Sequence, residues 1–340
     1  MKNSSIYVHG DGTVHIQETG MPEALPRQAL IRMAVGAVST GTETTGMIEM
    51  RRRPDPQRAP ARLGYSGAGV VEAVGSEYSG PPAGTPVAVY GGPYVSHSQW
   101  CAVGQNLIAP ARAPLEQAAF GGIGAIAMHG VREADVRLGE RVGVLGLGVL
   151  GQMVAQLVRA AGAFVVASDP LPSRREMAIR LGADMATTPD EFLAAAEGMT
   201  RGQGLDAVIV VAGTPDSAAP AQQGLRALGY KGRLQIVGNV RTEWVREELF
   251  QKEVTVRVSR AAGPGRYDPN YEREGHEWPV GIAPWTEGRN LRCTLDLLEA
   301  GRLQVAPLVT AEYPFTSANE AYDRLIEAPN DNLAILLRFA

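Results

Sequence analysis

Two rhythms divide the chain. Over roughly the first 120 residues, apolar and polar positions alternate in short runs: Ile6–His9, Thr13–Gln17, Ala29–Val38, Leu63–Gly75, Thr85–Val89, Ser98–Val103 and Leu107–Ala109. A period of two, with Gly and Pro between the runs, predicts strands joined by turns. Within Leu63–Gly75 small residues alternate with apolar ones, the mark of a strand approached closely by other backbone. Met50–Arg58 interrupts the rhythm as a charged segment punctuated by Pro54 and Pro56.

The second rhythm begins near Arg141. Strands are predicted at Arg141–Leu145, Phe164–Ser168, Ala207–Val211, Leu234–Val237 and Val254–Ser259. Helices are predicted at Gly151–Gly162, Arg174–Leu181, Asp190–Glu197 and Ala218–Ala227. Strand and helix in alternation make βαβ units and a parallel sheet. A loop rich in Gly, Pro and Tyr follows Ala262 and runs through Pro284. Helices at Arg289–Glu299 and Ala318–Ile326 and strands at Leu308–Tyr313 and Asn332–Phe339 close the chain.

The 340 residues, 45% apolar and 20% charged, can bury a large core and suit two domains. Net charge is −4, which offers no electrostatic reason to expect nucleic acid or a membrane as partner. The two cysteines cannot build a disulfide framework or a four-thiolate zinc site. No Tyr-x-x-x-Lys occurs, because the only lysines are Lys2, Lys231 and Lys252; this disfavours the short-chain dehydrogenase mechanism. The N-terminal residues lack the apolar run of a signal peptide. Val142–Val158 falls short of the roughly 20 residues of a membrane span. A cytoplasmic location is expected.

Val142–Val158 has another explanation. Gly146, Gly148 and Gly151 fit G-x-G-x-x-G between an apolar strand and an apolar helix. The first glycine permits a tight turn, the second lets a pyrophosphate approach the backbone, and the third lets helix and strand pack closely. Helix N–H groups then face the phosphates. Asp169 ends the next strand, about 20 residues on, where a carboxylate accepts bonds from ribose hydroxyls. That carboxylate repels a 2′-phosphate, so NAD is expected over NADP. Arg174 and Arg175 lie just beyond, either as phosphate holders or as a solvated helical turn. The expected cofactor set is Gly146, Leu147, Gly148, Val149, Leu150, Gly151, Asp169, Arg174, Ala212, Gly213, Val237 and Gly238.

With these motifs the chain resembles the medium-chain dehydrogenase/reductase superfamily over nearly its whole length. Gly41-Thr42-Glu43 is similar to that family's Gly-Ser-Asp, and Gly64–Gly75 to its Gly-His-Glu strand. Ala118-Ala119-Phe120 and Leu181-Gly182-Ala183 are also family-like. Ser39–Glu43, Gly64-Tyr65-Ser66, His97, Gly263–Pro269 and Trp285-Thr286-Glu287 resemble a zinc-poor branch of sugar, secondary-metabolite and bacteriochlorophyllide dehydrogenases. The resemblance implies an α/β fold: a Rossmann doubly wound parallel sheet over 125–265, and a split, β-rich GroES-like catalytic domain over 1–124 and 266–340. It also implies a homodimer through the last Rossmann strand, Glu253–Ser259.

Zinc-dependent members hold the metal with Cys, His, Glu and a further ligand. Carried over by position, these fall at Thr40, Tyr65, Ser66 and near Ile123, so zinc is not expected. Side chains must then handle the proton that accompanies hydride transfer. Tyr65 is the first candidate, with an aromatic space-filler as its alternative. Thr42 matches the family's proton-relay hydroxyl or makes a turn hydrogen bond. Glu43 orients its loop or acts as a base. His97 is the imidazole candidate. Thr40, Tyr267 and Trp285 are the expected substrate contacts. The polar and aromatic loop 263–285 suits a polyhydroxylated ring or simply packs rigidly; Arg51, Arg52 and Arg53 attract an anion or are solvated.

The function expected is zinc-independent, NAD(H)-dependent interconversion of a secondary alcohol and a ketone on a sugar, cyclitol or secondary-metabolite intermediate. The alternatives are an NADPH-dependent quinone or enoyl reductase, and a dinucleotide-binding sensor or structural protein without turnover.

Overall fold

The alternating runs of the N-terminal part form strands β1 (Lys2–Val8), β2 (Val14–Gly20) and β3 (Gln28–Val38), then helix α1 (Thr42–Arg52). Strands β4 (Ala61–Arg62), β5 (Ser66–Val74), β6 (Pro86–Tyr90), β7 (Trp100–Gly104) and β8 (Ile108–Pro110) follow, then helices α2 (Leu115–Ala118) and α3 (Gly121–Glu133). This computed structural model describes residues 2–38, 40–213 and 216–339; the side chain of Thr42 lies outside the described part.

Helix α1 departs from the strand-and-turn reading. Pro54 and Pro56 stop a helix without preventing one before them. Met47 is buried on its inner face, and Glu49 pairs with Arg53 one turn on. Gly46 and the exposed charges hide that short apolar face from a periodicity count.

The middle rhythm gives β9 (Arg141–Leu145), α4 (Val149–Ala160), β10 (Phe164–Ser168), α5 (Pro172–Arg180), β11 (Met185–Thr187), α6 (Phe192–Thr200), β12 (Leu205–Val210), α7 (Ala219–Ala227), β13 (Leu228–Ile236), α8 (Arg246–Lys252) and β14 (Thr255–Val258). The rest is α9 (Pro269–Glu272), α10 (Glu287–Glu299), β15 (Val309–Pro314), α11 (Ala318–Glu327) and β16 (Ala334–Arg338).

Two compact units result. One comprises the residues up to Ala125 together with Pro264–Gly301 and the residues from Val305; the other comprises Ile126–Gly263 with Arg302–Gln304. The short return of Arg302–Gln304 differs from the expected boundary. Gln156 and Gln304 exchange two hydrogen bonds (3.0 and 2.8 Å), and Arg302 donates to the Ala160 carbonyl, so these three residues cap α4.

The first unit holds a three-stranded sheet, β2-β1-β4, and a larger one, β15-β16-β3-β5-β6-β8, with β7 also paired to β3. Its core gathers Ile6, Ile31, Met47, Leu107, Tyr271, Tyr322 and Leu337. The second unit is a parallel sheet in the order β11-β10-β9-β12-β13-β14. The order reverses beside β9, and open α/β sheets of this kind bind ligands there, at the carboxyl ends of the strands. Val142–Val158 is a buried strand followed by a buried helix, and among the described residues no helix is long and apolar enough to cross a membrane.

Candidate active site

In the parallel-sheet unit the three glycines have different surroundings. Gly146 leaves β9 with φ +95°, and a Cβ on it would stand 2.7 Å from the Ala212 amide nitrogen. Gly151 lies where a Cβ would stand 1.9 Å from the Gly146 carbonyl oxygen, so α4 can pack on the turn only without one. Beside Gly148 no atom lies within 4 Å of that position. Two glycines are thus demanded by the protein's own backbone, and one leaves free room at the N-terminus of α4, where a pyrophosphate fits.

Asp169 directly follows β10 and is 3% exposed. Its Oδ2 accepts from the Leu147 amide (2.8 Å) and its Oδ1 from the Leu171 amide (2.9 Å). Arg174 Nη1 stands 3.8 Å from Oδ2. Arg175 donates to the carbonyls of Asp169 and Pro170, which turns it away from the solvated-helix reading. Gln152 in α4 ties the Leu147 and Arg174 carbonyls together. Val149 is buried and Leu150 half-buried at the start of α4. The segments Ala212-Gly213 and Val237-Gly238 follow β12 and β13. They meet closely, since a Cβ on Gly238 would stand 2.6 Å from the carbonyl oxygens of Val211 and Ala212.

The other unit carries the groups that can move a proton. Glu43, in the first turn of α1, accepts a 2.5 Å hydrogen bond from the Tyr322 hydroxyl of α11. His97 Nε2 lies 3.5 Å from the same Glu43 oxygen. The His97 ring is 1% exposed and is wedged against Gly36 and Gly64; a Cβ on either would come within 2.5 Å of it. The ring is buried, and Glu43 is the carboxylate its Nε2 faces. Tyr322 was absent from the sequence reading: an aromatic on an amphipathic helix gives no sign that its hydroxyl meets a carboxylate far away in sequence. Burial, then the Glu43 carboxylate and Tyr65, push its phenol pKa up.

Tyr65 follows Gly64 (φ +91°) into β5 and is half-buried. Its ring meets Tyr90 edge to face, with centroids 6.1 Å apart. Arg266 lies over the Tyr90 ring at 5.7 Å and over the Tyr267 ring at 4.2 Å. The rings and the guanidinium form one series from Tyr65 to Tyr267. Tyr267 is 56% exposed and Trp285 42% exposed, so both can meet a ligand. Thr40 is half-buried, and its carbonyl accepts from Thr44 Oγ1. Arg51 pairs with Asp323 and also donates to the Gly12 carbonyl, so it serves the α1–α11 packing instead of an anion.

The positions that would bear zinc do not suit it. Ser66 Oγ donates to the Ala119 carbonyl (2.6 Å) and accepts from the Gly122 amide (3.1 Å), pinning the start of α3. Ile123 is a buried hydrocarbon, and Tyr65 and Thr40 offer neutral oxygens where the metal takes thiolate, imidazole or carboxylate. Cys101 is buried against the Ser96 carbonyl, and burial raises its thiol pKa. Among the described residues no three His, Cys, Asp or Glu side chains gather as a metal site.

A split β-rich unit with a glycine-turn parallel sheet defines a dinucleotide-binding dehydrogenase fold. Comparison with known proteins agrees. The alcohol dehydrogenase GroES-like domain family matches residues 25–144, and the zinc-binding dehydrogenase family matches 149–274. D-guloside 3-dehydrogenase of Escherichia coli (strain K12) is 32% identical over 209 residues, which is 59% of this chain and 55% of that protein. The match therefore spans only a little over half the length of that relative. Sorbitol dehydrogenase of Macaca fascicularis is 26% identical over 358 residues, covering 95% of this chain and 92% of that one. The crystal structure of an Escherichia coli oxidoreductase/dehydrogenase of unknown specificity has the same fold, with a TM-score of 0.84, 20% identity and full coverage of both chains. The chain belongs to the medium-chain dehydrogenase/reductase superfamily.

Proposed function

We propose that this protein is a zinc-independent, NAD(H)-dependent oxidoreductase that interconverts a secondary alcohol and a ketone on a sugar, cyclitol or related secondary metabolite. The observation that carries the reading is the replacement of the whole ligand set by Thr40, Tyr65, Ser66 and Ile123, with a phenol among them. The sugar and polyol dehydrogenases among the relatives support the substrate class.

A bound nicotinamide would supply the hydride acceptor or donor. Leu147, Gly148 and the start of α4 would hold its pyrophosphate, and Asp169 its ribose. Asp169 supports NAD over NADP because a buried carboxylate disfavours an added phosphate. In reduction, Tyr65 would donate its phenolic proton to the carbonyl oxygen of the substrate; in oxidation its phenolate would take up the alcohol's proton. Glu43 is held in place by Tyr322 and faced by His97. The exposed faces of Tyr267 and Trp285 suit the C–H face of a ring substrate. The protein would act as a homodimer through β14, an edge strand whose Val258 is 73% exposed.

The test is turnover of a polyol panel, beginning with D-sorbitol, with NAD and NADP in parallel. Activity should persist after treatment with a chelator, and metal analysis should find substoichiometric zinc. Tyr65→Phe should lower turnover about 10²-fold or more and leave NADH affinity unchanged. Stoichiometric zinc with chelator-sensitive activity, or full turnover in Tyr65→Phe, would refute the reading. Strong selectivity for NADPH would favour the enoyl or quinone reductase alternative.

A further inference from the structure

Behind the series that ends at Tyr267 lies a buried cluster that the proposed mechanism does not use. Glu287 opens α10 and Glu272 closes α9; they are 0% and 3% exposed. Among the described residues both Glu287 oxygens are buried without a hydrogen-bond donor, and the neighbouring carboxyl that acts on them is Glu272. Two carboxyl groups in such contact need a proton between them, because two carboxylates there would only repel. Among the described residues the cation at the cluster is Arg266, whose Nη1 is ion-paired with Glu272. One guanidinium balances one carboxylate and leaves the second to be held as the acid.

The same arginine is the element that holds Tyr267. Its guanidinium lies over that ring and over Tyr90. Tyr267 has φ +65°, a left-handed backbone that a tyrosine adopts when its surroundings impose it. The Glu287 amide donates to the Pro264 carbonyl at 2.9 Å, so the cluster also closes the neck of the loop 264–287. The groups facing Glu287 from each neighbouring element are Glu272 and Tyr271 of α9, Arg266 of the loop and Tyr90 of β6.

We propose that Glu272 and Glu287 share one proton and, through Arg266, position Tyr267 and its loop for substrate, so that the order of this loop depends on that proton. The part concerning substrate rests on the function proposed above; the part concerning loop order does not. Burial first, then Glu272, pushes the Glu287 pKa up to about 8, while Arg266 lowers it. The proton is therefore held at neutral pH. When it leaves, two buried carboxylates face one guanidinium, and the pair that fixes Arg266 against Tyr267 loosens.

Hydrogen exchange followed by mass spectrometry tests this on the full chain. Protection factors for peptides spanning 264–287 are compared with those of the parallel-sheet unit from pH 6.5 to 9.5. In the parent, protection of the loop should fall about tenfold above pH 8 while that of the sheet stays level. Glu287→Gln, which mimics the acid, should keep the loop protected throughout; Glu272→Gln, which removes the partner of Arg266, should lose protection at every pH. A parent loop whose protection does not change with pH overturns the proposal and requires no variant to fold. Loss of protection in Glu287→Gln in parallel with the parent overturns it too. A second readout is D-sorbitol oxidation: the KM of the parent should rise about tenfold between pH 7.5 and 9.5 with little change in kcat, and that of Glu287→Gln should stay flat. Exchange behaving as expected with no turnover of any polyol would overturn the proposed function and leave the shared proton standing.

Discussion

Gly148 and Gly151 stand three positions apart in one turn, yet exchanging each for alanine should damage different properties. At Gly151 a Cβ would lie 1.9 Å from the Gly146 carbonyl oxygen. Normal contact is about 3.5 Å, so α4 and the turn must separate by about 1.5 Å. The obstacle is backbone and cannot rotate away. Overpacking costs about 1–3 kcal/mol, and an immobile neighbour puts Gly151→Ala near the upper end, a fall in Tm on the order of 10 °C. At Gly148 the backbone (φ −65°, ψ −177°) suits any residue, and nothing lies within 4 Å of a new Cβ. Gly148→Ala should therefore melt with the parent, yet place a methyl group where the pyrophosphate belongs. NADH affinity should drop at least about tenfold, or about 1.4 kcal/mol. Circular-dichroism melting and calorimetric titration with NADH separate the two effects. If Gly151→Ala melts with the parent, or Gly148→Ala loses stability and keeps its NADH affinity, the division of labour in the turn is wrong.

Tyr322→Phe removes the donor to a buried Glu43 oxygen; stability should fall by about 1–3 kcal/mol, and turnover should fall while the NADH dissociation constant measured by titration stays level. Asp169→Ser takes away the carboxylate that disfavours a 2′-phosphate and stands 3.8 Å from Arg174, so the ratio of NADPH to NADH affinity should rise in parallel titrations. The pH dependence of stability follows from Glu287, whose pKa is pushed from 4.5 up to about 8 in the folded chain. The native state then holds a proton that the unfolded chain releases, so this group's stabilisation is intact below about pH 4.5 and drains away as pH rises toward 8. Tm recorded across that range should decline from this source, and Glu287→Gln should flatten the decline.

Much of the second unit could be read from periodicity alone. Val142–Leu145, the glycine turn and the helix after it combine local signals: an apolar run, three glycines at fixed offsets, then a 3.6-residue repeat. Each strand there pairs with neighbours whose own patterns are just as local. Helix α1 escapes a periodicity count because its buried apolar face is little more than Met47, the other buried positions being the polar Glu43 and Thr44. His97 is visible as a residue but not as an environment, since its burial comes from Gly36 on β3 and Gly64 in the β4–β5 connection, both far away in the chain.

That Thr40, Tyr65, Ser66 and Ile123 offer no thiolate, imidazole or carboxylate could be read from the sequence alone, because a side chain's donor chemistry is a property of the residue type at one position. The nucleotide turn needed little more, because its glycines, strand and helix lie within one short segment. The assembly of Glu43 with Tyr322 and His97, and that of Arg266 with Glu272 and Glu287, could come only from the tertiary structure. Each brings together charges and hydroxyls from separate elements in a buried place. What a carboxylate does there depends on the solvent it has lost and the neighbours it has gained, and neither is encoded next to it in the chain.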